Sequence, residues 1–219
     1  GNMGCVPPQP GFLQALRDAC DRSGALLIFD EVITGFRLGY TGAQGYFGVM
    51  PDLTCLGKVI GGGLPLAAYG GRACWMSHVA PAGPVYQAGT LSGNPLAVRA
   101  GLAVLAALAA GGVYERLEHY TARLAAGLSD ELTAAGVPHV IERVGSMLTV
   151  FFGTTGPVRS LDDARRADPA LYARFFHGLL ARGVYLPPSQ FECWFVSTAH
   201  GEAELDRTLT AVRETLRTW

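Results

Sequence analysis

From Phe12 to Arg22, apolar residues recur at helical spacing (Phe12, Leu13, Leu16, Ala19 and Cys20), and Gly24 closes the run. That pattern predicts a helix. Ala25 to Phe29 is apolar without alternation, as in a strand covered on both faces within a parallel sheet. Gly35 to Met50 mixes glycine with aromatic residues and reads as a loop. Pro51-Asp52 marks the start of a second strand, Leu53-Thr-Cys-Leu-Gly, and Leu66 to Tyr69 gives a third. Helix, strand, loop and strand in that order predict an α/β layer.

The second half changes rhythm. Asn94-Pro95 has the form of a helix cap with proline in the first turn, opening an alanine-rich helix that reaches about Ala110. After Gly111-Gly112, Val113, Leu117, Tyr120, Leu124, Leu128 and Leu132 form one stripe of a second helix that ends at Gly136. Candidate strands follow at Val137 to Val144 and Met147 to Phe152, then a helix opened by Asp168-Pro169. Further strands are expected at Val184 to Leu186 and Trp194 to Ser197, and a last helix is striped by Leu205, Leu209, Val212 and Leu216. The division therefore falls between residues 1–112, the α/β part, and residues 113–219, a small α+β domain. There is no internal repeat and no low-complexity tract.

Composition narrows the functional classes. With 219 residues, 49% hydrophobic residues and a mean hydropathy of +0.24, the chain has ample core material and none of the character of a disordered segment. A formal net charge of −1 offers no electrostatic grip on nucleic acid or on an anionic membrane. The longest apolar stretch, around Leu102 to Ala110, is too short to span a bilayer. Five scattered cysteines (Cys5, Cys20, Cys55, Cys74 and Cys193), none in a C-x-x-C pair, favour reduced thiols in a cytoplasmic protein over a disulfide framework or a zinc site. The five histidines are too dispersed for a metal reading. The chain opens at Gly1 rather than methionine, as a fragment would.

Two residues carry candidate chemistry. Asp30 ends the first strand and Lys58 follows the second, at a separation that suits one βαβ step. In open α/β sheets, ligands gather at the carboxyl ends of strands. An acid and a lysine there suit pyridoxal phosphate: the amine carries the cofactor covalently, and the acid keeps its pyridine nitrogen protonated. Lys58 stands in a stretch, Leu53 to Gly71, with no other charge, and is expected to be desolvated and nucleophilic. The plain alternatives are an aspartate that caps the next helix and a lysine that faces water.

The ordered set Asp30-Glu-Val, Lys58, Gly61-Gly-Gly-Leu-Pro and Gly89-Thr90-Leu-Ser-Gly-Asn-Pro resembles the class III, fold type I aminotransferases. Within that class, Gly1-Asn-Met-Gly-Cys-Val-Pro-Pro, Arg143-Val-Gly-Ser-Met-Leu and Tyr185-Leu-Pro-Pro-Ser-Gln-Phe-Glu through Ser197-Thr-Ala-His200 resemble its glutamate-1-semialdehyde aminomutase branch. The resemblance covers nearly the entire chain. It implies part of a large, mainly parallel-sheet domain followed by a small α+β domain, in a chain about half as long as such enzymes. Lys58 would hold pyridoxal 5′-phosphate, cycling with pyridoxamine 5′-phosphate, and shuttle protons. Asp30 would pair with the ring nitrogen, and Val32 would press on the ring face. Thr90, with Tyr86 close by, would reach the phosphate of the neighbouring subunit's cofactor, which implies a homodimer. Asn2 would lie near the cofactor's phenolic oxygen, and Glu192 would line the substrate side of the pocket.

Each assignment has a structural alternative: strand filling for Val32, a cap on the Asn94 helix for Thr90, a turn for Asn2 and a rim charge for Glu192. Three functions follow. The first is intramolecular amino transfer that turns glutamate-1-semialdehyde into 5-aminolevulinate for tetrapyrrole synthesis. The second is ordinary amino transfer on an ω-amine or amino acid. Many enzymes of that kind carry an arginine just before the Pro-Pro pair, whereas here Val184-Tyr-Leu precedes Pro187-Pro188, which favours the first. The third is a non-catalytic, truncated chain.

Overall fold

The computed structural model describes all 219 residues. They form two compact units, Pro10–Gly111 and Gly112–Trp219, the second of which includes Gly1–Gln9.

In the first unit, α1 (Phe12–Ser23) ends at Gly24, whose left-handed backbone returns its N–H to Cys20 O. The strands β1 (Ile28–Glu31), β2 (Leu53–Leu56) and β3 (Ala68–Gly71) form one sheet in that order. β1 and β2 run parallel with Asp30 opposite Cys55, and β3 is antiparallel to β2. β1 starts three residues later than its apolar run because Leu27 is engaged elsewhere. The Leu27 N–H donates to Asp52 Oδ2 at 2.9 Å, and Leu27 O accepts from the Asp52 N–H at 2.8 Å. Arg17 Nη1 lies 2.8 Å from the same carboxylate. The Leu27 N–H first, and the Arg17 guanidinium second, hold the Asp52 carboxyl below the ordinary aspartate range.

The expectation that β1 is covered on both faces is corrected. Ile28 is 54% exposed, so within this chain that face of β1 is open. The expected loop Gly35 to Met50 contains a short helix, α2 (Gly42–Phe47). After β3 come the single turn α3 (Ala73–Met76) and α4 (Pro95–Ala109), capped by Asn94 Oδ1, which accepts from Leu96 N–H at 3.0 Å and Ala97 N–H at 3.2 Å. The α4 backbone lies so close to the turn Lys58–Gly61 that a Cβ at Gly101 would stand 2.4 Å from Ile60 O.

The second unit contains α5 (Val113–Ala134), β4 (His139–Val144), β5 (Met147–Phe152), α6 (Leu161–Arg165), α7 (Pro169–Leu180), β6 (Trp194–Phe195) and α8 (Glu202–Leu216). Its sheet is antiparallel in the order β4-β5-β6. All six residues of the central β5 are buried. The α5 stripe (Leu124, Leu128, Leu132) packs with Phe152, Phe175, Leu179 and Val212 in one core, as its helical period predicts.

Val184 to Leu186 is not a strand. The Val184 N–H turns back to Leu179 O at 3.0 Å to close α7, and the Tyr172 hydroxyl donates to Pro187 O, fixing the following segment. β6 is shorter than expected because the Ser197 N–H leaves the sheet for His200 Nδ1 at 2.9 Å. The domain boundary also changes at its beginning. Gly4 N–H donates to Phe191 O at 2.7 Å and Cys5 N–H to Thr149 Oγ1 at 2.8 Å, so the opening nonapeptide belongs to the unit of residues 112–219 rather than to a 1–112 domain.

Candidate active site

Parallel pairing places the exits of β1 and β2 side by side, about 4.8 Å apart, the spacing of neighbouring strands. Asp30 sits at the first exit, opposite Cys55, and Lys58 lies three residues past Cys55. Asp30 is exposed, and its Oδ1 accepts the Val32 N–H at 3.0 Å, which bends the chain out of the strand. Asp30 therefore caps no helix. A Cβ placed on Gly57 would stand 3.2 Å from Val32 Cγ1, so the Val32 methyls lie directly against the residue before Lys58. Asp30, Val32 and Lys58 thus converge on one end of the sheet.

Lys58 has a backbone signature absent from the sequence reading. Its φ is +47°, in the left-handed region that a residue with a side chain seldom occupies. The tight turn Lys58–Gly61 holds it there, with Ile60 N–H donating to Gly57 O at 3.2 Å and Gly62 N–H to Val59 O at 3.1 Å. Strain of this kind persists where surrounding structure imposes it, and functional sites are where it collects. Within this chain the Lys58 side chain is exposed rather than desolvated.

The residue that sequence reasoning missed is Glu31. It is 1% exposed, and its carboxylate accepts from Thr34 Oγ1 at 3.0 Å, Ala43 N–H at 2.6 Å, Gln44 N–H at 3.0 Å and Gln44 Nε2 at 3.0 Å. Gly42 lets the backbone approach it, since a Cβ there would be within hard contact of Glu31 Oε2. Side chains alternate along a strand, so anchoring Glu31 on one face orients Asp30 on the other. A cavity of about 340 Å³ lies beside it, lined among others by Phe36, Tyr40, Met50 and Leu56. No local sequence signal marks Glu31, because its partners lie up to thirteen residues away.

Thr90 and Tyr86 belong to the same unit. Thr90 is exposed in the turn closed by Ser92 N–H to Gly89 O at 2.9 Å. The α4 cap is supplied by Asn94, so that alternative for Thr90 is removed. Tyr86 is 84% exposed.

Asn2 and Glu192 lie in the other unit, where the opening segment is hydrogen-bonded to the segment that carries Glu192. Both are exposed. Glu192 lines a recess of about 500 Å³ with Tyr120, Tyr185, Trp194 and His200. Burial first, and the nearby Glu204 and Glu202 carboxylates second, push the Tyr120 phenol above its ordinary range. Burial likewise pushes Tyr172 up to about 12.

Residues 1–208 match the model of the class-III aminotransferases, and the chain belongs to that family. Among curated proteins it is 60% identical over 216 residues to the glutamate-1-semialdehyde 2,1-aminomutase of Desulforudis audaxviator, a match that covers 99% of this chain and 50% of the relative. Among solved structures it is similar to an omega-transaminase from Sphaerobacter thermophilus, with a TM-score of 0.88, 34% identity and coverage of 98% of this chain and 49% of the other. It is similar also to a glutamate-1-semialdehyde aminomutase from Pseudomonas aeruginosa PAO1 in complex with PMP, with a TM-score of 0.86, 29% identity and coverage of 99% and 49%. The chain spans about half the length of the curated relatives it matches.

Proposed function

We propose that the protein containing this chain converts glutamate-1-semialdehyde to 5-aminolevulinate by moving an amino group within one substrate, with pyridoxal 5′-phosphate and pyridoxamine 5′-phosphate as alternating cofactor forms. The observation that carries the cofactor reading is the convergence of Asp30, Val32 and Lys58 at one sheet end, where the parallel register sets an acid beside a strained lysine. The bound cofactor would supply an electron sink for the substrate carbon. Lys58 would hold it covalently and move protons at the substrate carbon from its Nζ. Asp30 would keep a proton on the ring nitrogen with its carboxylate, and Val32 would orient the ring by contact. Asn2 would approach the phenolic oxygen, and Glu192 would face the substrate.

The substrate choice is supported by 60%, 55% and 58% identity to three curated glutamate-1-semialdehyde 2,1-aminomutases. It is supported also by Val184-Tyr185-Leu186, which sets an apolar and an exposed aromatic side chain, rather than a cation, ahead of Pro187. For the dimer, the support is an exposed apolar stretch around Thr90. Tyr86, Leu91 and Leu96 are 84%, 65% and 72% exposed, well placed to be covered by a second subunit that Thr90 would serve.

The test is turnover by the full-length protein, loaded with cofactor, on glutamate-1-semialdehyde alone. Conversion without an added amino donor or keto acid is expected. A strict requirement for a second substrate would assign the chain to the ordinary aminotransferases.

A further inference from the structure

Two buried thiols lie on neighbouring segments of the second unit. Cys5 lies in the opening segment and Cys193 just before β6, and they are 3% and 2% exposed. Both are arranged around β5. The Cys5 N–H donates to Thr149 Oγ1 at 2.8 Å, and that hydroxyl donates to Glu192 O, one residue before Cys193, at 3.4 Å. Cys5 Sγ lies 3.8 Å from Met147 O, and Cys193 Sγ lies 3.5 Å from Leu148 O, on successive residues of the strand. Gly4 N–H to Phe191 O, at 2.7 Å, joins the two segments again. The remaining cysteines, Cys20, Cys55 and Cys74, all lie in the other unit.

We propose that Cys5 and Cys193 are a site of oxidative cross-linking, at which the paired thiols form a disulfide that staples the opening segment to the segment carrying Glu192. Sulfurs held against successive residues of one strand, on segments already hydrogen-bonded to each other, need only a local adjustment to reach the bond length of about 2.05 Å. With a peroxide as oxidant, one thiolate attacks a peroxide oxygen and becomes a sulfenic acid, releasing water after protonation. The second thiolate then attacks that sulfur and expels the hydroxyl as a second water. Two thiols and one hydrogen peroxide thus become one disulfide and two waters.

Either sulfur makes the first attack, and the other then resolves the sulfenic acid. Burial restricts the reaction to small oxidants and makes it slower than oxidation of the exposed Cys74. The cross-link itself does not depend on the proposed function. Its consequence does: Asn2 and Glu192, which flank the two cysteines, would be fixed in place.

The experiment is peroxide treatment of the full-length protein, followed by alkylation, digestion and mass spectrometry. The expected product is one peptide pair joined through Cys5 and Cys193, released by dithiothreitol, with both thiols lost to alkylation. Cys5→Ser and Cys193→Ser should each abolish the pair. Recovery of both cysteines as alkylated free thiols from wild-type protein, after peroxide doses and times well beyond those that oxidise Cys74 completely, would overturn the proposal, as would a cross-link from either to another cysteine. Because the mapping makes no reference to turnover, its failure is distinguishable from failure of the Lys58 site. Turnover before and after reductant reports on the consequence alone, and a several-fold reversible change is expected.

Discussion

Replacing Glu31 by alanine removes one buried carboxylate that receives four hydrogen bonds, two of them from the backbone N–H groups of Ala43 and Gln44. A hydrogen bond to a charged acceptor contributes about 1.5–3 kcal/mol, and a buried donor left without a partner costs about 1–3 kcal/mol. The Thr34 hydroxyl and the Gln44 side chain can rotate towards water, so the two backbone donors dominate. The expected loss is about 3–5 kcal/mol, at the upper end for a single substitution. Glu31→Gln keeps the shape and one oxygen but turns an NH2 group against N–H donors, and should cost about 2 kcal/mol. The damage should be local, opening residues 34–48 around α2 while leaving β5 and α5 intact. Native-state hydrogen exchange of the full-length protein, read by mass spectrometry on peptides covering that segment, measures it. Since 1.4 kcal/mol is about a factor of ten, Glu31→Ala should lower protection there by roughly 100-fold or more. Protection within about threefold of wild type would refute the role of this carboxylate in holding the exit of β1.

Asp52 titrates below the unfolded aspartate value of about 3.9. Its contribution is therefore complete above that pH and is lost as pH falls through the lowered folded value. Asp52→Asn should be less stable than wild type at pH 7 and should show a flatter loss as pH falls below about 4, in thermal melts across that range. Asp30→Asn should retain cofactor attachment but slow turnover on the order of 100-fold, because a neutral partner no longer holds a proton on the ring nitrogen. Unchanged kcat would remove that role. Tyr172→Phe deletes the hydroxyl that donates to Pro187 O and should cost about 1–2 kcal/mol in denaturant unfolding.

Most long elements were legible in the sequence because their signals are local. The stripe from Val113 to Leu132 and the Asn94-Pro95 cap each fall within a few turns of helix, and α5 and α4 stand where those patterns place them. α6 was not anticipated, although Ser160 and Asp163 form a reciprocal pair at its start. What escaped depends on partners distant in sequence. The start of β1 is set by Asp52, twenty-five residues from Leu27, and α2 is organised by Glu31 from a neighbouring strand. The nonapeptide at the start belongs with residues 112–219 through Thr149 and Phe191, which no window along the chain can register. Of the candidate site, the placement of Asp30 and Lys58 at the ends of neighbouring strands was visible as spacing, whereas the left-handed backbone of Lys58 and the approach of Val32 to Gly57 depend on the folded backbone.

The most direct test of the Lys58–Asp30 site is the position of covalent attachment. Full-length protein loaded with pyridoxal phosphate, reduced with borohydride and digested, should yield the cofactor on the peptide that contains Lys58, and the Lys58→Ala protein should yield none. The cofactor recovered on any other lysine, or retained covalently by Lys58→Ala, would contradict the assignment of this strand end as the catalytic centre.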